Sequence, residues 1–331
     1  MTLLTGASGQ DQDTVAQPSS SEAAAPAVVS IVYDVDGYSR SVEGVDIEVV
    51  RTGVGLGPSL VRTVQTEDLV ATESTIQFPM YSRATIGDGH VIATCIVAAP
   101  PESRWCGIDL EPGMIVVHGP GAEHTAVNPI GARFAFAVAT QEDLERISDE
   151  RGRRFSAPPR GEVHALQATA DTRSLGWRLA GFIDGATEGR VPAQELDQGL
   201  LGAIAVALSD DRRAERVGAA KRVDARRVAH ACIEYARAVG RIPSITEMCL
   251  VAHVSERGLR RAFNEVYGAP PATFFRVWAL GQARRRLKSA GSDEQVSRVA
   301  ADLGFGHLGR FSVRYKQTFG ESPSSTMQSV G

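Results

Sequence analysis

Three arginines crowd one stretch of predicted helix. Arg257, Arg260 and Arg261 stand opposite Leu259 and Phe263, and Arg310 and Lys316 follow in a second, similar stretch. A guanidinium carries five N–H donors in a flat fork, which suits partners offering paired acceptors: phosphate oxygens, or the O6 and N7 of guanine. A row of arginines is often no more than a solvated helix face. The distribution of charge argues otherwise. Residues 222–331 hold 17 Lys+Arg against 9 Asp+Glu, a net of +8, whereas residues 1–221 hold 18 against 30, a net of −12. A basic block joined to an acidic one is what a nucleic-acid module fused to a non-binding domain produces. Attraction to a membrane surface would need a continuous amphipathic helix, and Gly and Pro punctuate this region too often for one.

The elements that must hold these arginines repeat. Shifted by 52 residues, Leu259, Phe263, Tyr267, Gly268 and Pro271 fall on Phe311, Tyr315, Phe319, Gly320 and Pro323. Each copy is a helix with one large apolar residue per turn, stopped by Gly and followed by Pro. Ser244 and Glu247 form a capping box that starts a helix reaching about Ala252. His253-Val254-Ser255 is a turn, and Ser255 caps the helix that carries the arginines. Pro271 begins a longer helix to about Ser289 with Phe274, Phe275, Trp278 and Leu287 inward and Arg284, Arg285 and Arg286 near its end. Such a rod is roughly 28 Å long, close to the ~34 Å between successive major grooves on one face of a duplex. Ser292 opens the second unit, with Val296, Val299, Ala300 and Leu303 as its stripe, then a helix from about Leu308 to Phe319 and a short one from Ser322-Pro323. Two helix–turn–helix units are the natural reading.

Ala300, Gly304-Phe305, Phe311, Tyr315-Lys316, Phe319-Gly320 and Ser322-Pro323 together resemble the C-terminal signature of the AraC/XylS family of bacterial transcription regulators. The resemblance covers about Val223 to Met327. It implies that the second helix of each unit enters the major groove of one double-stranded DNA segment. The positions so implicated are Ser255, Arg257, Arg260 and Arg261 in the first unit, and His307, Arg310 and Lys316 in the second, where Gly309 and Val313 offer no side-chain hydrogen bond to a base. The first unit is therefore expected to carry most direct readout.

Upstream, Val28–Val35, Asp46–Arg51, Leu60–Val64, Thr75–Phe78, Val91–Ala98, Met114–His118 and Arg133–Ala139 are rich in Val, Ile and Phe and are separated by Gly, Pro and Asp. Many short strands without intervening helices predict an all-β barrel or sandwich. Gly113, then Gly119-Pro120-Gly121, His124 and Asn128 resemble the second motif of the cupin superfamily, with Gly119 where that family usually has Pro. In metal-binding cupins this His joins two others and a Glu from an H-x-H…E motif. No H-x-H occurs in the chain, so neither metal nor cofactor is expected. The resemblances together imply a cupin-like barrel that senses a small-molecule effector. Tyr81, Arg83, Trp105 and His124, aromatic or polar groups near strand ends, are the candidates to line its site.

The organisation expected is a disordered tail (1–27), a barrel (28–150), connecting helices (151–209), a linker (210–221) and the DNA-binding domain (222–331), whose opening helix runs from Val223 to about Val239. Leu175, Leu179, Phe182, Ile183 and Ala186 mark a first connecting helix, and Leu196, Leu200, Ile204 and Leu208 a second. Both could pack on the barrel or form a homodimer. The tail lacks Lys and Arg, so no export signal is expected, and scattered Cys95, Cys106, Cys232 and Cys249 suit reduced thiols in the cytoplasm. The leading expectation is a DNA-binding transcription regulator rather than an enzyme, one that meets RNA polymerase if it activates. Rivals are a metal-dependent cupin enzyme fused to a DNA-binding module, and a constitutive regulator whose barrel only dimerises.

Overall fold

A computed structural model describes residues 27–32, 45–65, 69–150, 152, 157–190, 219–289 and 294–328. The strands are β1 (Ala27–Val32), β2 (Val45–Arg51), β3 (Ser59–Gln65), β4 (Val70–Thr75), β5 (Met80–Ile86), β6 (His90–Ala98), β7 (Arg104–Trp105), β8 (Ile108–Asp109), β9 (Ile115–His118), β10 (Glu123–Asn128), β11 (Arg133–Thr140) and β12 (Val163–Leu166). The helices are α1 (Gln141–Glu150), α2 (Ala170–Thr187), α3 (Ala219–Val239), α4 (Ile245–Ala252), α5 (Glu256–Tyr267), α6 (Pro271–Lys288), α7 (Val296–Asp302), α8 (Leu308–Phe319) and α9 (Pro323–Gln328).

The strands form two antiparallel sheets, a seven-stranded one ordered β1-β3-β4-β11-β6-β9-β12 and a five-stranded one ordered β2-β5-β10-β7-β8. The expected closed barrel is corrected to this pair of sheets: among the described residues no ladder joins one to the other. The β-rich character stands, with six strands the sequence pattern did not separate (β4, β5, β7, β8, β10 and β12) and a helix, α1, that it did not foresee. Of Thr75–Phe78, expected as a strand, Thr75 ends β4, and residues 76–78 lie in the connection between β4 and β5. Its burial is real, because Ile76 and Phe78 plug the space between the sheets.

Period-two alternation decides what each face meets. In β11, Phe134, Phe136 and Val138 point between the sheets, while Ala135, Ala137 and Ala139 point outward beneath α1 and α2. Small outward residues let the helix lie close. At Gly176 of α2 an added Cβ would come within 3.3 Å of Cys95 Cβ on β6. Helix α2 starts at a capping box on Thr169 and Thr172, then buries Leu179, Ala180 and Ile183 against the large sheet. Of the two readings open for this first connecting helix, packing on the sheet accounts for its apolar stripe: Leu175, Leu179, Phe182, Ile183 and Ala186 all pack within the chain. The second connecting helix (Leu196 to Leu208), most of the linker, the tail up to residue 26 and Ser292 lie outside the described residues; 219–221 already belong to α3. No described helix is long and apolar enough to cross a membrane.

The layers run in order from α1 and α2, through the seven-stranded sheet, an apolar interior and the five-stranded sheet, to the C-terminal helices. Those helices close on Phe263, Phe274, Phe275, Trp278, Leu287, Phe311, Tyr315 and Phe319, and the same cluster takes in Val50 and Tyr81 from the outer face of the small sheet. Because Ala135 is fully buried where the helix approaches, Ala135→Leu should destabilise the N-terminal half by ~1–3 kcal/mol through overpacking. Urea unfolding followed by tryptophan fluorescence checks this; an unchanged midpoint would contradict the close approach.

Candidate nucleic-acid interface and inter-sheet cavity

The first helix–turn–helix unit is built by caps. Ser244 accepts from the Glu247 amide (3.2 Å) while the Glu247 carboxylate accepts from the Ser244 amide (2.8 Å). That carboxylate also receives Arg241 (2.6 Å) and the Tyr235 hydroxyl (3.0 Å), so one side chain ties α4 to the end of α3. These donors, Arg241 foremost, hold Glu247 far below the usual carboxylate range. His253 closes α4 in the left-handed conformation (φ 53°), and Ser255 caps α5 by accepting from Gly258 (3.2 Å). Gly268 ends α5 at φ 64° and Gly320 ends α8 at φ 81°, the positions where a residue without Cβ costs least.

This framework leaves the expected arginines in solvent. Arg257, Arg260 and Arg261 are exposed on α5 while Leu259, Phe263 and Val266 are buried beneath them. Arg260 is held by Glu256 one turn earlier (2.6 Å), an exposed pair that a stronger acceptor can displace at little cost. Ser255 is exposed, but its hydroxyl is occupied by the cap. In the second unit His307, Arg310 and Lys316 are all exposed; His307 sits at the N-cap of α8 without a side-chain cap bond. Val313, 58% exposed, adds an apolar group on the same helix, able to meet a thymine methyl.

The spacer arginines divide by task. Arg286 clamps Glu294 (2.9 Å) and Asp302 (2.8 Å), and Arg284 pairs with Glu321 (2.8 Å) and lies over the Phe319 ring. Both brace α6 against the second unit. Arg276 was not singled out by sequence. Burial and the nearby guanidinium of Arg314 on α8 lower its pKa. Two cations converging from separate helices suit a bridging anion such as a phosphate. No local pattern announces that pair, since only folding brings 276 into the neighbourhood of 314.

Between the sheets lies a small cavity of about 50 Å³ lined by Ser82, Ala84, Thr94, Trp105, His118, His124, Asn128, Phe134 and other apolar groups. At ~10–15 Å³ per water, that is room for only a few waters. Of the four expected lining residues, Trp105 and His124 do line it. The Trp105 indole donates to Asn128 Oδ1 (2.8 Å) and meets the His124 ring edge-on (4.7 Å). His124 Nδ1 stands 3.0 Å from His118 Nε2, which is 3.8 Å from Cys106 Sγ. Burial lowers the His124 pKa to about 4, and burial, His124 and Arg226 together hold His118 well below the ordinary histidine value. Burial pushes the Cys106 thiol up, against the pull of Arg226, a buried residue of α3. A metal cage of the H-x-H…E kind does not fit here, since β5 offers Ser82 and Ala84 to the cavity. The donors that converge are Cys106, His118 and His124.

Tyr81 and Arg83 require correction. They alternate with Ser82 and Ala84 on β5 and therefore face away from the cavity, onto the C-terminal helices. The Tyr81 ring packs against Tyr267 and Phe274, each at 5.5 Å between centroids. Arg83 bonds Glu234 on α3 (2.9 Å), His230 and Glu123 (3.4 Å). Arg237 pairs with Glu48, and Arg104 donates to the Asn264 carbonyl of α5 (3.2 Å). A wide groove runs along this junction, bordered by Glu123, Arg227, His230, His253 and Arg261.

Two helix–turn–helix units joined by a braced spacer, each turning an exposed cationic helix outward, define the class of double helix–turn–helix proteins. A family profile described as "Helix-turn-helix domain" matches residues 248–329. The chain is 36% identical over 90 residues to the XylDLEGF operon transcriptional activator 2 of Pseudomonas putida, covering 27% of this chain and 57% of that one. It is 33% identical over 100 residues to a probable thc operon regulatory protein of Rhodococcus erythropolis, 30% of each chain. A solved probable AraC family transcriptional regulator from Rhodopseudomonas palustris is 31% identical over 31% of this chain and 96% of that one, with a TM-score of 0.29. The chain thus spans about half or less of the length of these curated relatives. Its C-terminal domain belongs to the AraC/XylS family.

The Glu247 network sets a pH dependence. A carboxylate whose folded pKa lies below its ordinary 4.5 contributes stability above that value and loses it as pH falls. The wild type should therefore lose melting temperature on acidification below about 4.5 more steeply than Glu247→Gln, which starts lower at neutral pH. Parallel curves across pH 3–7 would show that the carboxylate contributes nothing.

Proposed function

We propose that this protein is a sequence-specific DNA-binding transcription regulator, and not an enzyme, whose N-terminal half acts as a cupin-like sensor of a small molecule. The observation that carries the reading is the pair of exposed cationic helices, α5 and α8, each ended by a left-handed Gly and held apart by α6. Arg257, Arg260, Arg261 and Arg310 read guanine edges by paired donation, while Ser255, His307, Lys316 and the Arg276–Arg314 pair meet phosphates and set the register. The 18 residues of α6 span roughly 27 Å, near the distance between successive grooves. The relatives are named as operon activators and regulatory proteins, which agrees with double-stranded DNA as partner, with RNA polymerase as a second one if this chain activates. Cytoplasmic action follows from that role.

Coupling to an effector would pass through β5, which has one face in the cavity and the other against α3, α5 and α6. The docked arrangement puts Glu123 beside the groove that Arg261 borders, so an acidic domain competes with DNA for the reading helix. An effector acts by binding the docked and released arrangements with different affinities. The small cavity limits that effector to a few heavy atoms unless the sheets part on binding. The corresponding reading of Trp105 and His124 is contact with that effector.

An unbiased duplex selection with the full chain at moderate salt is the test. It should return one preferred site with two half-elements about one helical turn apart. Each of R257A, R260A, R261A and R310A should then cost ~1–3 kcal/mol and relax preference at one base pair. Equal binding to all sequences would end the reading. Arg83→Ala, which loosens the docked junction, should raise affinity for the selected site at low salt; lowered or unaltered affinity would remove the competition between domain and duplex.

A further inference from the structure

We propose that Cys106, His118 and His124 form a site for a divalent zinc-type ion, with its fourth coordination position open to the inter-sheet cavity. The three donors come from separate elements: the β7–β8 turn, the end of β9, and β10. Their ligand atoms lie within 4.8 Å of one another. Zn–S near 2.3 Å and Zn–N near 2.0–2.1 Å in a tetrahedron place sulfur and nitrogen about 3.6 Å apart and two nitrogens about 3.3 Å apart. Here His118 stands 3.8 Å from the sulfur and 3.0 Å from His124, and the sulfur lies within 4.8 Å of His124, so side-chain rotations that draw the three donors onto one centre admit an ion. Thiolate and imidazole donors favour zinc, cobalt or nickel over magnesium or calcium.

The turn that carries the sulfur supplies an independent reason. Arg104 pairs with Asp109 and Trp105 with Ile108, leaving Cys106-Gly107 as a two-residue hairpin loop. Both residues have positive φ, 50° and 76°, the type I′ geometry for which Asn-Gly or Gly-Gly is the preferred pair. A cysteine in the left-handed region is strained, and such strain persists where the side chain is wanted. The Cys106 amide donates to the Thr125 carbonyl of β10 (2.7 Å), which fixes the sulfur beside the two imidazoles.

Charge specifies the fourth ligand. A divalent ion with one thiolate and two neutral imidazoles keeps net positive charge, and Arg226 of α3 adds another cation beside Cys106. The open position therefore takes an anion, hydroxide or a small carboxylate, and the cavity onto which His118 and His124 open is of the size for it. This site differs from the H-x-H…E cage in all ligands but His124, and it does not depend on the DNA-binding reading.

The experiment uses the full chain stripped with chelator and titrated with cobalt(II), followed by absorbance and melting. The expected result is one ion per chain, a near-ultraviolet cobalt–thiolate charge-transfer band, intense tetrahedral visible bands and a rise in melting temperature. Cys106→Asn suits the turn's backbone, so the ion-free variant should melt no lower than the ion-free wild type while losing the charge-transfer band. His124→Gln should lose most of the affinity. Acetate should shift the visible bands of the wild type. Absence of the thiolate band, its survival in C106N, or undiminished binding by H124Q overturns the site; visible bands indifferent to acetate overturn the open fourth position.

Discussion

Strand β5 is buried on its inner face and packed against the C-terminal helices through Tyr81 and Arg83 on its outer one, and the relation between the two halves of the chain depends on that constraint. Ser82 and Ala84 close the inter-sheet cavity, while Tyr81 packs against Tyr267 and Phe274 and Arg83 pairs with Glu234. A strand with solvent on one side can move that side freely. Here a displacement of the inner face by a fraction of an ångström must be absorbed by the aromatic stack outside, because close-packed interiors have little slack. Arg226 adds a second link, bringing a guanidinium from α3 to the group of donors inside the sandwich.

The remaining layers make that constraint firm. Alternating large and small residues on β11 fill the sandwich on one side and admit α2 on the other. Glu73, fully buried, is neutralised by Arg62 (2.7 Å) and Arg133 (2.6 Å), and Arg62 reaches on to Asp184 of α2. A buried carboxylate with two cationic partners tolerates loss of neither without a large penalty. The seven-stranded sheet with its helices thus forms a stiff backing, against which the thinner five-stranded sheet can transmit change to the helices docked on it.

In the C-terminal half, arginine does two different jobs. Arg241, Arg284 and Arg286 hold carboxylates of neighbouring elements and fix angles between helices. Arg257, Arg261 and Arg310 show no ion pair among the described residues and stand in solvent. An unpaired, exposed guanidinium keeps its donors for an incoming acceptor, whereas a clamped one has already used them. The same residue type therefore builds the platform and occupies its outer surface.

What the chain alone determined were the features written in short spans. The caps at Ser244 and Ser255, the stops at Gly268 and Gly320 and the apolar rungs of α5 and α8 involve partners no more than a few residues apart, so their helices were legible almost to the residue. Strand content was legible too, though β10 hid inside a motif and β5 lacked the Val/Ile density that marked its neighbours. Tertiary structure decided the rest. Whether the sheets close, which face of β5 looks inward, that the α2 stripe is consumed within the chain, and that Arg276 comes near Arg314 all rest on how distant positions pack. So does the gathering of Cys106, His118 and His124, which show no motif spacing because their proximity is set by strand register, and register is fixed only when every strand of a sheet has found its partner.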